Sequence, residues 1–176
     1  MGRQAVLLPR RPLRDRAARR APDGAPGPAP AAARRRPRQA RGLALAARFA
    51  DEYNTVHQSP AQCAAIRAAL DDACVAAGRD PADLPMSLMT GFVVGRDEAQ
   101  LLRRAEAILD WLGRGEEEVE EALAQLRESW LVGTPDEIAE RVAEYSAAGV
   151  THVMLQHHLH EDDHALELMA ERLLPG

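Results

Sequence analysis

Residues 131–156, LVGTPDEIAERVAEYSAAGVTHVMLQ, decide the fold class, because they spell one helix and one strand with clear punctuation. Thr134 and Glu137 form a capping box, in which the Thr134 hydroxyl accepts the Glu137 backbone N–H and the Glu137 carboxylate reaches back. Pro135 occupies the first helical position, where a missing N–H costs nothing. Ile138, Val142 and Tyr145 recur at helical spacing and make one apolar face, with Glu137 and Arg141 expected to pair four residues apart on the wet side. Gly149 can end the helix in the left-handed conformation. Five of the next seven residues (Val150, Thr151, Val153, Met154 and Leu155) are apolar or β-branched, which predicts a strand buried on both faces. Helix, glycine, short turn and buried strand make a repeat unit of a parallel α/β fold.

The neighbouring stretches extend this grammar in both directions. A short helix is expected from Gly42, with Leu43, Leu45, Ala46 and Phe49 apolar, then a short strand at 53–56. Ser59 and Gln62 spell a second capping box with Pro60 at the first helical position. The helix they open faces inward through Ile66, Leu70, Ala73 and Ala77 and closes at Gly78. After the break at Asp80-Pro81, MSLMTGFVV at 86–94 is the second strand, with Gly91 a candidate bulge. Asp97 and Gln100 mark a third cap, ahead of Leu101, Ala105, Ile108 and Leu112. A further helix is expected over 116–130, with Val119, Leu123, Leu126 and Trp130 on one face, and a last one from Asp163. The count is six or seven helices and about three strands.

Four of these blocks, in this order, resemble the luciferase-like monooxygenase family: GLALAARFADEYNTV at 42–56, CVAAGRDPADLPMSLMTGFVVGRDEA at 74–99, GTPDEIAERVAEYSAAGVTHVMLQ at 133–156, and the tail HHLHEDDHALELMAERLLPG. The resemblance covers residues 42–176 and none of the first forty. It implies an α/β, helix-rich C-terminal fragment of a TIM-type (β/α)8 barrel. It also implies an oxidoreductase or monooxygenase that uses reduced flavin mononucleotide (FMN) or the deazaflavin coenzyme F-420 on a small organic substrate. A complete barrel usually needs about 250 residues, and this chain has 176. The early strands, and much of the pocket they build, are expected to be missing, so the chain alone is expected to be inactive or to depend on a partner, a homo-oligomer included.

The first 41 residues read as a separate, disordered arm. MGRQAVLLPRRPLRDRAARRAPDGAPGPAPAAARRRPRQA holds seven prolines and no Ser or Thr, and has no sustained apolar period. Residues 1–50 carry 13 arginines against Asp15 and Asp23, while the rest of the chain is strongly acidic, so the net charge of −5 hides a basic end on an acidic body. Arg, Pro, Ala and Gly are what GC-rich DNA encodes, and a shifted reading frame or misassigned start accounts for such a tail. An Arg-tailed nucleic-acid binder is one alternative, but the arm offers no aromatic rings for bases to stack on. A small α-rich interaction module without catalytic activity is the other. Steep salt dependence of binding that disappears without residues 1–40 would mark the first, and a cooperative melt from a soluble monomer the second.

Cys63 and Cys74 fall in one helix, about 16 Å apart along its axis, beyond disulfide reach. Reduced, buried thiols fit a cytoplasmic protein, and no apolar run is long enough to cross a membrane. In a parallel barrel, ligand groups project from the C-terminal ends of the strands. The ends available are 54–57, 93–95 and 156–158. Asn54 and Gln156 can bind a flavin ring or a carbonyl in either direction, and His57 or His157 can exchange a proton near neutral pH. Asn54, Gln156 and His157 are therefore the candidate cofactor contacts, and no catalytic residue is assigned. HHLHEDDH at 157–164 invites a metal reading, but its residues fall in a turn where Asp162 or Asp163 caps the next helix, so no metal site is expected.

Overall fold

The computed structural model describes residues 38–174, and the structure of the expected arm before residue 38 lies outside that range. The described elements are α1 (Arg38–Phe49), β1 (Tyr53–Val56), α2 (Pro60–Ala77), β2 (Met86–Val94), α3 (Glu98–Trp111), α4 (Val119–Arg127), β3 (Leu131–Gly133), α5 (Pro135–Ala147), β4 (Val150–Gln156) and α6 (Asp163–Leu173), with one 3-10 turn at Pro81–Asp83. There are four strands here rather than three. The one missed, β3, is only three residues long and is defined by what it pairs with. Helix α1 also begins four residues before the expected domain boundary at 42.

The strands are all parallel, with β2 at the centre. Its first half pairs with β1, from Tyr53↔Met86 to Val56↔Met89, and with β4, from Met86↔Val150 to Gly91↔Gln156. Its last three residues pair with β3. The caps behave as the residue types demand. Ser59 and Thr134 both complete capping boxes, and the Asp97 carboxylate accepts the Gln100 N–H. Gly149 has φ of 87°, where only a residue without Cβ is unstrained.

One face of the sheet makes the main core. Met86, Leu88, Phe92 and Val94 of β2 pack against Cys63, Ile66, Leu70 and Cys74 of α2, Ile138 and Tyr145 of α5, and Leu168 and Met169 of α6. Both cysteines are free and buried, and burial pushes the Cys63 thiol above its ordinary pKa. Val93, on the other face of β2, nucleates a second core with Leu101, Ala105 and Ile108 of α3, Leu123 and Leu126 of α4, and Trp130.

Four local expectations are corrected. The helix expected over 116–130 spans only Val119–Arg127, because Glu118 makes no side-chain cap and the chain turns at Glu128–Ser129. Glu137 is held in its capping box, so Arg141 pairs with Glu144 instead, at 2.8 Å. The register irregularity lies at Met86/Ser87 and not at Gly91. Gly91 instead makes room for Trp130, whose ring atoms come within 2.5 Å of where a Cβ would stand. Finally, β4 is not buried on both faces. Only Val150 is fully buried, since among the described residues β4 has a strand neighbour on one side alone.

Candidate functional site

The C-terminal ends of β1, β2 and β4 meet under a His-rich loop. His57 follows β1 with φ of 49°, the only non-glycine left-handed residue described, a strained choice of the kind found at binding sites. Two bonds hold it there. Its N–H donates to the Met89 carbonyl at 3.0 Å, and the Tyr145 hydroxyl donates to the next residue's carbonyl, at Gln58, at 2.8 Å. Burial of Tyr145 pushes its pKa above the ordinary phenol value, so it stays a donor.

The loop after β4 is fixed from two sides. Arg104 of α3, itself buried, donates to both Asp162 carboxylate oxygens at 2.6 and 3.0 Å and to the Val94 carbonyl at 2.8 Å. The Asp162 carboxylate also accepts the Ala165 N–H, which caps α6. Bonds from Arg104 hold the Asp162 carboxyl below the usual carboxylate range. On the other side the rings stack. His158 lies 5.0 Å from Trp130 and 4.8 Å from Trp111, His57 lies 5.7 Å from Trp130, and His157 lies 5.5 Å from Phe92.

Four polar atoms in this cluster are buried without a hydrogen-bond partner: His57 Nδ1, Gln156 Oε1, His157 Nε2 and His158 Nε2. Each such atom costs about 1–3 kcal/mol relative to a bonded one, and native proteins leave few of them. Four at one set of strand ends mark a place where polar partners are missing. The space beneath the loop, between Phe92, Ile108, His157 and His158, is about 10 Å³, scarcely room for one water. Beside His57 an open pocket of about 470 Å³ is lined by Ser59, Gln62, Glu128 and Ser129. A second groove of about 470 Å³, mostly apolar, lies elsewhere, between α5, β4 and α6.

Gln156 and His157 are adjacent in this cluster. Asn54 is not part of it. It pairs in register with Ser87 and donates to the Ser87 Oγ at 3.0 Å, whereas Gln156 pairs with Gly91. Four residues of β2 separate the two levels, roughly 13 Å. From sequence, Trp130 is placed only on an apolar helix face and Trp111 is given no role. The one available signal is that both of the chain's scarce tryptophans stand at or just beyond the end of a helix. Among the described residues no group of three His, Cys, Asp or Glu side chains is arranged to hold a metal ion.

The parallel strands joined by helical crossovers and the ligand-type groups at the strand ends define a sector of a TIM-type barrel. The luciferase-like monooxygenase family model matches residues 11–152, and the chain belongs to that family. The match begins well before residue 42, which corrects the motif-based extent, and it stops before the His-rich loop and α6. No curated protein matches the chain. Among solved structures, an F-420-dependent secondary alcohol dehydrogenase in complex with an F-420–acetone adduct is similar, with a TM-score of 0.59 and 16% identity over 76% of this chain and 45% of that one. The coenzyme F-420-dependent tetrahydromethanopterin reductase from Methanopyrus kandleri gives a TM-score of 0.59 and 17% identity over 77% and 48%. The EDTA monooxygenase from Chelativorans sp. BNC1 gives 0.55 and 17% over 77% and 43%. The chain thus spans somewhat under half the length of these structures, and they share its fold.

Proposed function

We propose that this chain supplies part of the pocket of an oxidoreductase or monooxygenase that uses reduced FMN or coenzyme F-420 on a small organic substrate. The observation that carries this reading is the set of unpartnered buried atoms at the strand ends. Flavin and deazaflavin rings share a pyrimidine edge that alternates carbonyl, N–H and carbonyl. With the His-rich loop moved aside, since the space beneath it is only about 10 Å³, the Gln156 carbonyl can accept that N–H, and the His157 and His158 imidazoles can donate to the flanking carbonyls. The bound ring would supply the redox chemistry, by hydride transfer or by reaction with oxygen.

The protein's own part is to bind, orient and shield. Trp130, Phe92 and Leu159 keep water from the strand ends, while the His57 and His157 rings offer a hydrogen-bond donor or acceptor there. Asn54, lower on the same sheet face, offers an amide to the barrel interior through its bond to Ser87. Among the described residues β1 and β4 each pair on one side only. Residues 38–174 by themselves are therefore proposed to be inactive until further strands, from a second copy or another polypeptide segment, close the sheet. The two free thiols fit a reducing, cytoplasmic setting. No described helix is long and apolar enough to cross a membrane.

The test is a fluorescence titration of the purified chain with oxidised and reduced FMN and coenzyme F-420, with thermal melts alongside. Saturable binding with a raised Tm is expected, weakened about tenfold by Gln156→Ala through loss of one buried hydrogen bond. Absence of binding both to the isolated chain and to any oligomer it forms overturns the reading.

A further inference from the structure

The loop His157–Asp162 closes over the strand ends through imidazole rings and Leu159. His158 stacks on Trp130 and lies tilted against Trp111, His160 stands edge-on to Trp111 at 6.5 Å and to His157 at 6.3 Å, and His157 stacks on Phe92. His57 adds a fourth imidazole through Trp130. The cluster holds both tryptophans of the chain.

Three of these rings bury a nitrogen with no partner. A proton added to the His158 Nε2 would make a charged N–H with no acceptor, in a space too small for water to follow. At His158 the surrounding charges do not offset this. From α3 comes Arg104, a cation, and the one carboxylate it touches, Asp162, is already bonded to it. Glu161 on the loop is exposed, and Glu128, before β3, lines the open pocket beside His57.

We propose that the loop His157–Asp162 is a proton-operated cap on the strand ends, shut while His158 is neutral and released when it takes up a proton. Burial, then the neighbouring His57, His160 and His157, hold the His158 pKa below its ordinary value. A His whose pKa is lowered in the closed state favours closure above the free imidazole value of about 6.5. That contribution is lost as pH falls through the lowered value. The cap therefore opens in mild acid, exposing Gln156 Oε1 and the imidazole nitrogens. Opening does not depend on which ligand, if any, the site takes.

Because Trp111 and Trp130 both touch the loop, tryptophan emission, excited selectively over the two tyrosines, reports on the cap. The full chain is titrated from about pH 8 to pH 5 while emission, acrylamide quenching and far-ultraviolet circular dichroism are followed. A reversible transition below about pH 6.5 is expected, with a rise in acrylamide quenching of the buried Trp130 component and unchanged helicity. His158→Phe keeps a ring in the stack and removes the proton acceptor, so it should stay closed to pH 5. His164→Gln, on the exposed face of α6, should behave as wild type. Hydrogen exchange of the loop amides at both pH limits gives a second readout on the unsubstituted chain if His158→Phe fails to fold. The proposal fails on any of three results. One is an emission change without greater quenching or exchange, which is mere quenching by imidazolium. Another is the same transition in His158→Phe. The last is a transition that coincides with loss of helicity.

Discussion

β2 and β4 lie side by side and read alike, MSLMTGFVV against VTHVMLQ, yet they have different surroundings. Every residue of β2 except Met89 is buried, because strands flank it on both sides and cores form on both faces. Along β4 only Val150 is fully buried, and Met154 and Leu155 stand 43% and 37% exposed. Apolar composition identifies a strand, but how deeply the strand is buried depends on what pairs with it. Here the difference separates a finished part of the barrel from an open one.

The largest contrast is expected from core truncation. Leu88→Ala on β2 removes a fully buried side chain from the main core and should cost about 2–5 kcal/mol in urea unfolding. A loss below about 1 kcal/mol would mean that β2 is not the centre of the cooperative unit. Arg104→Met should follow, at about 3 kcal/mol, because it strips the Val94 carbonyl and Asp162 of their partner. It has a pH signature as well. The lowered Asp162 pKa contributes stability above the ordinary carboxylate value, lost as pH falls through the lowered one. Acid melts of wild type and Arg104→Met should therefore converge. If they stay parallel, the Arg104–Asp162 pair is not what fixes the loop.

Gly91→Ala tests the second face of β2, where the loop and strand ends meet. The new methyl would fall within 2.5 Å of the Trp130 ring, and overpacking of this kind costs about 1–3 kcal/mol. Trp130 should be displaced, with a red-shifted emission, while the helix-side core is untouched. Unchanged emission would show that the indole has room to move and that Gly91 is not there to admit it.

The parts of this fold that could be read from sequence are those whose causes lie within a few residues. Ser59 with Gln62, Asp97 with Gln100 and Thr134 with Glu137 bond across a single helical turn, so residue type and spacing suffice. Strands at 53–56 and 86–94 and a helix from Asp163 followed from the same local rules. What was missed depends on distant neighbours. β3 exists because the end of β2 is free to pair. Trp130 kept the helical period of α4 but leaves the helix to cover Gly91. Gln156 and the histidines drew notice by type. That His158 rests between two indoles, with its Nε2 unpartnered, follows only from how α3 and the β3 entry pack.

The smallest expected effect is the most telling for β4. Met154 points away from the helix-side core, in register with Met89 on the less covered face. In an isolated chain Met154→Ser should change stability by no more than about 0.5 kcal/mol, as surface substitutions do. The comparison with Leu88→Ala would then stand as drawn. If Met154→Ser instead costs about 2 kcal/mol or more, the residue is covered in solution. Because the strand edge beside it is unpaired among the described residues, the cover would be further strands on that edge. Stability that rises with protein concentration in wild type, and loses that dependence in Met154→Ser, would assign the cover to a second copy of the chain.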